Sequence, residues 1–293
     1  MSGPEPVHSA TACELRPREF ARIQQMTYDF CGVDLHGKEV LVGARLGKKI
    51  RELNIPSFTQ YCDCVQQDTS GKLFTEMIDA LTTNHTSFFR ESRHFDFLRD
   101  KIVPGLSEKD PLSIWSAACS SGEEPYSIAF SLVETLGKQA FSRVSITATD
   151  ISTRVLDKAR KGIYPLSSLS TMSDAMRRVC LLKGVGRYDG HCQVQPNVKA
   201  MIDFQQLNLL QDCSSVGPFQ VIFCRNVMIY FDGPTQQAVV DRLASRLIPG
   251  GYLLIGHAES LNGIRHSLQY ICTATYRKPG GRPAQVSRMT LDR

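Results

Sequence analysis

No stretch of the 293 residues approaches the roughly 18 uninterrupted apolar positions that carry a helix across a bilayer. The opening segment Met1–Pro17 has neither the basic lead nor the apolar run of a secretory signal. A cytosolic protein without direct membrane insertion is expected. Metal-binding spacings are also missing. The ten cysteines, including Cys13, Cys31, Cys180, Cys192, Cys213 and Cys272, form one Cys-x-Cys (Cys62 and Cys64) but no Cys-x-x-Cys, and the seven histidines form no His-Glu-x-x-His. Reduced thiols and no metal are therefore expected, with Cys119 and Cys224 packing as small hydrophobes inside apolar runs. A lone histidine such as His257 is read as a polar core or surface residue. Charge is balanced: 34 Lys+Arg against 29 Asp+Glu leaves +5, spread thinly and without interleaved aromatics, which argues against a nucleic-acid partner. The fingerprint Gly-x-Gly-x-x-Gly is absent, which disfavours a dehydrogenase. There is no internal repeat.

With 42% hydrophobic residues, the chain can bury the core of one large domain and a smaller one. Residues 1–13 and 277–293, rich in Pro, Gly, Ser or Ala, are read as flexible tails. From 14 to 92 apolar residues recur at helical spacing, as in Val42, Leu46, Ile50 and Leu53, or Phe74, Met77, Ile78 and Leu81, and predict a small helical domain. After Pro111 the rhythm changes. Short apolar runs at Leu112–Ala118, Val144–Thr149, Phe219–Cys224 and Gly251–Gly256 alternate with amphipathic stretches at Ser127–Leu136, Thr153–Arg160 and Thr235–Leu247, with Pro249-Gly250-Gly251 as a helix stop. This predicts an α/β domain over 93–276, built on a doubly wound, mostly parallel sheet with right-handed crossovers. Gly184, Gly186 and Gly190, followed by Val194, Pro196, Val198, Met201, Ile202 and Phe204, predict an antiparallel insertion over about 183–204. It is read equally as a plain surface hairpin or as a device for partner choice.

Ligands of such sheets bind beyond the carboxyl ends of the strands. The first strand runs into Cys119-Ser120-Ser121-Gly122-Glu123-Glu124-Pro125, whose small residues admit a ligand close to the backbone. Its two glutamates would repel a pyrophosphate and suit a ligand carrying positive charge or hydroxyls. The second ends at Asp150, which either takes the two hydroxyls of a ribose or caps the next helix. Gln205–Leu210 offers Asn208 among apolar residues, as an adenine pocket requires. Phe219–Cys224 delivers Arg225-Asn226-Val227-Met228-Ile229-Tyr230-Phe231, polar groups that packing alone explains poorly. Ahead of the sheet, Leu81–Glu91 reads either as a cover over the ligand or as a capped helix with Phe88 and Phe89 in the core.

The motifs Thr82-Thr83-Asn84-x-Thr86-x-Phe88-Phe89-Arg90-Glu91 and Cys224-Arg225-Asn226-Val227-Met228-Ile229-Tyr230-Phe231, with Ile114–Ala129, Ala148–Tyr164 and Pro249–Leu261, closely resemble the bacterial chemotaxis receptor methyltransferases, the CheR family. The resemblance runs from about Glu14 to Tyr276; His85 and Ala258 are mild departures. It implies a Rossmann-like methyltransferase fold with an all-α N-terminal domain. It also implies transfer of a methyl group from S-adenosylmethionine to glutamates of chemoreceptors, with S-adenosylhomocysteine as product. Asn84, Thr86, Arg90, Glu124, Asp150, Asn208, Leu209, Arg225 and Asn226 would line the cofactor site, with Arg90 and Tyr230 beside the transferring methyl. Since glutamate is ionised at pH 7, with a pKa of about 4.3, no general base is needed, which fits the absence of a Ser/His/Asp or Cys/His set.

On the helix around Gly43–Leu53, Arg45, Lys48, Lys49, Arg51 and Glu52 predict a basic stripe. It would either steer an acidic receptor helix or form a solvated face. In some relatives an inserted β-subdomain grips a receptor's C-terminal tail, which Gly184, Gly186 and Gly190 resemble. A monomer partnered with cytoplasmic receptor helices at membrane arrays is expected. The rivals are a methyltransferase of this fold with another substrate and a catalytically silent cofactor-binding adaptor on receptors.

Overall fold

A computed structural model describes residues 14–82, 84–107 and 110–280; the N-terminal tail, Cys13 and most of the C-terminal tail lie outside them. The chain forms two compact units divided between residues 83 and 84. No described helix is long and apolar enough to cross a membrane.

The first unit holds α1 (Pro17–Cys31), α2 (Glu39–Glu52), α3 (Phe58–Gln67) and α4 (Lys72–Leu81). Proline opens α1, where its missing N–H costs nothing, and Gly32 in the left-handed region (φ 68°) closes it by donating to the Tyr28 carbonyl. The Ser57 hydroxyl caps α3 by accepting from the Gln60 amide. The helical spacing resolves into a core of Ile23, Val42, Leu46, Ile50, Phe58, Tyr61, Met77 and Ile78, each at most 1% exposed, and burying each large side chain contributes roughly 1.5–3 kcal/mol. Leu53, expected on this stripe, is 39% exposed where α2 ends.

In the second unit, α5 (Arg93–Phe97) continues through a π-turn into β1 (Leu112–Ala117), α6 (Glu123–Leu136), α7 (Ala140–Arg143), β2 (Val144–Asp150) and α8 (Thr153–Lys161). Next come β3 (Ile163–Pro165), α9 (Asp174–Cys180), β4 (Leu181–Lys183), β5 (His191–Val194), α10 (Pro196–Lys199) and β6 (Ile202–Gln206). The chain finishes with β7 (Phe219–Cys224), α11 (Gly233–Arg246), β8 (Leu247–Ile255), β9 (Gln269–Cys272) and β10 (Thr275–Arg277). Seven strands form one sheet in the order β6-β2-β1-β7-β8-β10-β9, parallel from β6 to β8 and antiparallel in the closing hairpin. Successive residues alternate between two cores: Ile114, Val221 and Leu254 belong to one, Trp115, Ile222 and Leu253 to the other. Burial on both faces is why these strands read as continuous apolar runs.

Several boundaries differ from the sequence reading. The helical unit ends nine residues before the expected 92, because residues 84–92 pack on the sheet unit: Phe88 meets Tyr164 edge-on at 4.9 Å and the Phe89 amide donates to Ser127 Oγ. This segment is a loop rather than a capped helix. Helix α6 starts at Glu123, not Ser127. Gly122 (φ 95°) supplies the turn into it, and Pro125 is harmless in a first turn whose amides have no helical partner. Strand β8 extends back through Pro249-Gly250-Gly251, which is an irregular strand segment with a register shift rather than a helix stop.

The antiparallel insertion is a separate sheet in the order β3-β5-β4 spanning 163–194, so it begins twenty residues before the expected 183. Ile202 and Phe204 leave it altogether and lie in β6, paired in parallel with β2. Their alternation reflects an edge position on the main sheet, where one side is less covered. Of the tail expected from 277, the described residues 277–280 pack on the second unit: Arg277 lies in β10, and Lys278 Nζ donates to the carbonyls of Ala244 and Leu247 at the end of α11. The β9–β10 hairpin escaped the sequence reading because Gln269–Cys272 is short and exposed throughout, with Tyr270 64% exposed.

Candidate functional site

The carboxyl ends of β1, β2 and β7 converge with the 84–92 loop on a group of buried charges. Arg225, the first residue after β7, has a side chain only 2% exposed. Its guanidinium donates to Glu91 Oε2 at 3.0 Å, to Glu124 Oε2 at 3.1 Å and to the Arg90 carbonyl, while lying 5.8 Å from the Phe95 ring centroid. Ser116 Oγ supplies Glu124 Oε1 at 2.6 Å, and Asn226 Nδ2 supplies Glu91 Oε1 at 3.2 Å. Burial pushes Glu124 above the ordinary carboxylate range despite Arg225 and Ser116. At Glu91 burial also pulls upward, but Arg225 and Asn226 prevail and the carboxyl lies below that range. One guanidinium thus ties together the 84–92 loop, the start of α6 and the end of β7.

Asp150 closes β2, and both its oxygens accept backbone amides: Oδ2 from Ser120 at 2.8 Å and Oδ1 from Ser152 at 2.9 Å. It therefore fastens the β1–α6 loop to the β2–α8 loop, which exceeds the capping role; the cap of α8 is the Ser152 hydroxyl. Ala118 (φ 64°) and Ser120 (φ 49°) bend the first of these loops. At Gly122 a Cβ would fall 2.8 Å from both Ala159 Cβ and the Tyr164 hydroxyl, so nothing larger fits. Asn208 and Leu209, 7% and 8% exposed, follow β6, and the Leu207 amide donates to the Asp150 carbonyl. The Asn84 carbonyl accepts from Ser120 Oγ, while its amide nitrogen is buried without a hydrogen-bond partner. Thr86 is half-buried on the same loop, and Arg90, also half-buried, donates to the His85 carbonyl at 3.0 Å. Tyr230 is half-buried five residues beyond Arg225.

These residues fit an adenosyl sulfonium. The three carboxylates Glu91, Glu124 and Asp150 exceed the two guanidiniums of Arg90 and Arg225, which favours a cation. The glycine cradle admits a close backbone approach, and the unsatisfied Asn84 amide awaits an acceptor. Of the motif-derived residues, Asn84 and Asp150 meet at Ser120, and Arg90, Glu124 and Asn226 meet at Arg225 and Glu91.

The sequence reading missed Glu91, Ser116, His94 and Glu259 as parts of this architecture. Glu91 stood in a quoted motif, and Glu259 lies three residues past Gly256; both needed the third dimension to acquire partners. His94 is 2% exposed and neither ring nitrogen has a hydrogen bond; the Glu91 carboxylate lies 3.6 Å from Nδ1 and the His257 ring 4.8 Å away. Glu91, His94 and His257 offer ligand atoms within 4.8 Å of one another, but both Glu91 oxygens already accept from Arg225 and Asn226. All nine described cysteines are free, and burial pushes the Cys119 and Cys224 thiols well up.

Doubly wound topology, acidic strand ends and a glycine cradle without a pyrophosphate loop define a nucleoside-binding α/β domain. The description "CheR methyltransferase, SAM binding domain" matches residues 84–277, and "CheR methyltransferase, all-alpha domain" matches 18–82. The chain is 39% identical to Chemotaxis protein methyltransferase 2 of Pseudomonas aeruginosa, over 94% of this chain and 98% of that one. It is 40% identical to the chemotaxis protein methyltransferase of Borreliella burgdorferi, over 89% and 94%. A probable chemotaxis protein methyltransferase of Rhizobium etli shares 41% identity over 86% and 96%. The chain belongs to the CheR methyltransferase family, and its second unit is an S-adenosylmethionine-binding methyltransferase domain.

Burial first, and then the Arg225 and His257 charges, push the His94 pKa down to about 3 against the pull of Glu91. Below about pH 6.5 the unfolded chain takes a proton that the folded protein refuses. Stability attributable to this group should therefore fall as pH drops from 6.5 toward 3, by about 1.4 kcal/mol per unit, and be flat above 6.5. Urea unfolding at pH 7 and pH 5 should show that slope in the wild type and lose it in His94→Phe.

Proposed function

We propose that this protein methylates glutamate side chains of chemoreceptors, giving methyl esters and S-adenosylhomocysteine. What carries the reading is the Arg225 cluster: a carboxylate-rich pocket suited to a sulfonium, in a chain whose relatives are chemotaxis methyltransferases over nearly their full length. When bound, S-adenosylmethionine supplies an electrophilic methyl group that an already ionised glutamate can take by displacement, without a general base. The work left to this chain is binding, orientation and exclusion of water, and orientation alone can lower a barrier by roughly 7–11 kcal/mol. Asp150 would hold the ribose hydroxyls, and Asn208 and Leu209 the adenine. Glu124, Arg225, Asn226, Asn84 and Thr86 would hold the remainder. Arg90 is pinned on one side by its bond to His85 and on the other by Arg225 on its carbonyl; with Tyr230 it would place the substrate carboxylate in line. The protein would act in the cytoplasm, recruited to receptor arrays.

Substrate steering by α2 takes a narrower form than the full stripe. Arg45 donates to the carbonyls of Leu81 and Thr82, and Lys49 pairs with Glu76 at 2.6 Å, so both are committed within their own unit. Lys48 and Arg51 are exposed, Lys48 reaching Glu52 only at 3.9 Å in a solvent-exposed pair, and remain as the groups that would attract an acidic receptor helix. A tail-binding role would fall on β4, an edge strand of the small sheet, which with its turn exposes Leu182, Val185 and Tyr188. The glycines of this turn also serve its local geometry. At Gly184 a Cβ would lie 2.1 Å from the Tyr188 carbonyl oxygen, and Gly186 and Gly190 have φ of 61° and 75°.

Incubation with methyl-labelled cofactor and receptor-bearing membranes should place label on receptors and release it as methanol on mild base. Absence of base-labile label would exclude a carboxyl methyl ester. Arg90→Ala should lose at least tenfold in kcat with cofactor affinity by calorimetry little changed, whereas an unaltered rate would remove Arg90 from the reaction. Lys48→Glu with Arg51→Glu should slow receptor methylation severalfold at low salt and less at high salt; equal rates at low salt would assign α2 a solvated face. In titrations of receptor C-terminal tail peptides, binding should weaken when the open edge of β4 is blocked by Lys183→Pro, whose N–H faces away from β5, and no binding by any tail would exclude the small sheet as the receptor grip.

A further inference from the structure

The loop that carries Tyr230 leaves β7 through a left-handed turn at Asn226. Asn226 sits in the left-handed region at φ 58°, a rare place for a residue with a side chain. Glu259 straps the turn from the neighbouring strand end. Its Oε2 accepts from the amides of Asn226 at 2.9 Å and Gly256 at 2.6 Å, and its Oε1 accepts from Met228 at 2.8 Å. One carboxylate therefore satisfies two amides of the Arg225–Tyr230 turn and joins them to the end of β8. The same junction explains Gly256: a Cβ there would meet Asn226 Nδ2 at 2.6 Å and Glu259 Oε2 at 2.8 Å. The Met228–Tyr230 turn begins at the strapped amide of Met228, so the path of the Tyr230 backbone is set by a residue that itself belongs to none of the cofactor-lining positions.

We infer that Glu259 is a positioning residue for methyl transfer, acting through the 225–230 turn to aim Tyr230, with Gly256 as the space that lets the strap close. This rests on the methyltransferase reading above and adds the residue that sets the geometry of its proposed substrate-orienting tyrosine. A neutral amide cannot replace the carboxylate, since a glutamine side chain here would present its own N–H groups to amides that need an acceptor. An aspartate side chain keeps the charge but is one methylene short.

A split between kcat and binding distinguishes positioning from ligand contact. Glu259→Gln should lower kcat for receptor methylation at least tenfold while S-adenosylhomocysteine affinity by calorimetry changes less than threefold, and Glu259→Asp should recover part of the loss. Gly256→Ala, which disturbs the junction from the opposite side and also crowds the Asn226 side chain, should lower kcat at least tenfold with a smaller loss of affinity, and the double variant Gly256→Ala/Glu259→Gln should be no slower than the slower single variant, because both break one device. Wild-type kcat in Glu259→Gln, or a loss of rate that only tracks lost affinity, would overturn the inference. If Glu259→Gln fails to fold by circular dichroism, Gly256→Ala decides alone, and a wild-type kcat there overturns it. A wild-type protein that methylates no receptor would defeat the functional reading instead.

Discussion

The second unit is organised around a single buried guanidinium. Arg225 lies at the end of β7 among two carboxylates, a backbone carbonyl and an aromatic ring, with almost no water access. Removing a charge from water is costly unless every partner is present, and losing one partner of such a cluster leaves the others buried and uncompensated. The cluster therefore acts as a conditional lock. When Glu91, Glu124 and Arg225 are all in place, the 84–92 loop, the start of α6 and the end of β7 share one geometry. Its asymmetry is informative: Glu91 and Glu124 share one cation yet differ in the direction of their acidities, because at Glu124 burial outweighs Arg225 and Ser116 while at Glu91 Arg225 and Asn226 outweigh burial.

Backbone conformation points the same way independently. Of the seven non-glycine residues with positive φ among those described, Phe89, Glu91, Ala118, Ser120 and Asn226 all lie on the three loops joined by Arg225, Asp150 and Glu259. Each such residue costs of order 1–3 kcal/mol and persists only where its surroundings over-determine it. The surroundings here are side-chain carboxylates accepting backbone amides: Asp150 at Ser120, Glu259 at Asn226. Strain concentrated at a rim and offset by buried acids is the arrangement of a site held ready before its ligand arrives, which reduces the ordering that binding must impose.

Much of this was legible in the chain, for identifiable reasons. The central strands are buried on both faces, so β1, β2 and β7 appear as apolar runs whose limits are correct to within a residue. The polar sequences that interrupt them, around Glu124, Asp150 and Arg225, fall at strand ends because nothing in a core could tolerate them. What was hidden depends on contacts distant along the chain. The 84–92 segment read as part of the helical unit because Phe88 and Phe89 look like any helix core until Phe130 and Tyr164 are brought beside them. Ile202 and Phe204 alternate as an antiparallel strand would, and only the pairing with Ile146 and Ala148 assigns them to the parallel sheet. The basic stripe on α2 illustrates the opposite failure: spacing identifies the charges sharing a face but not the carbonyls or acids that have already claimed two of them.

Glu259 shows why such residues escape a motif reading. A group that touches ligand must match the ligand's chemistry, so its type can be argued from the reaction, as with Asp150 and a ribose. A group that shapes the backbone needs only to satisfy amides, and a glutamate in a polar stretch after a strand resembles any surface acid. The distinction emerges when acceptor capacity is counted: Glu259 commits its oxygens to the amides of Asn226, Gly256 and Met228. A reaction that needs no proton moved places its demands on geometry, so the acids that matter most after the ligand-holding ones are those that fix the paths of loops. Arg225 and Glu259 divide that role, one holding the turn from within the pocket through side-chain charge and the other from the neighbouring strand through the backbone.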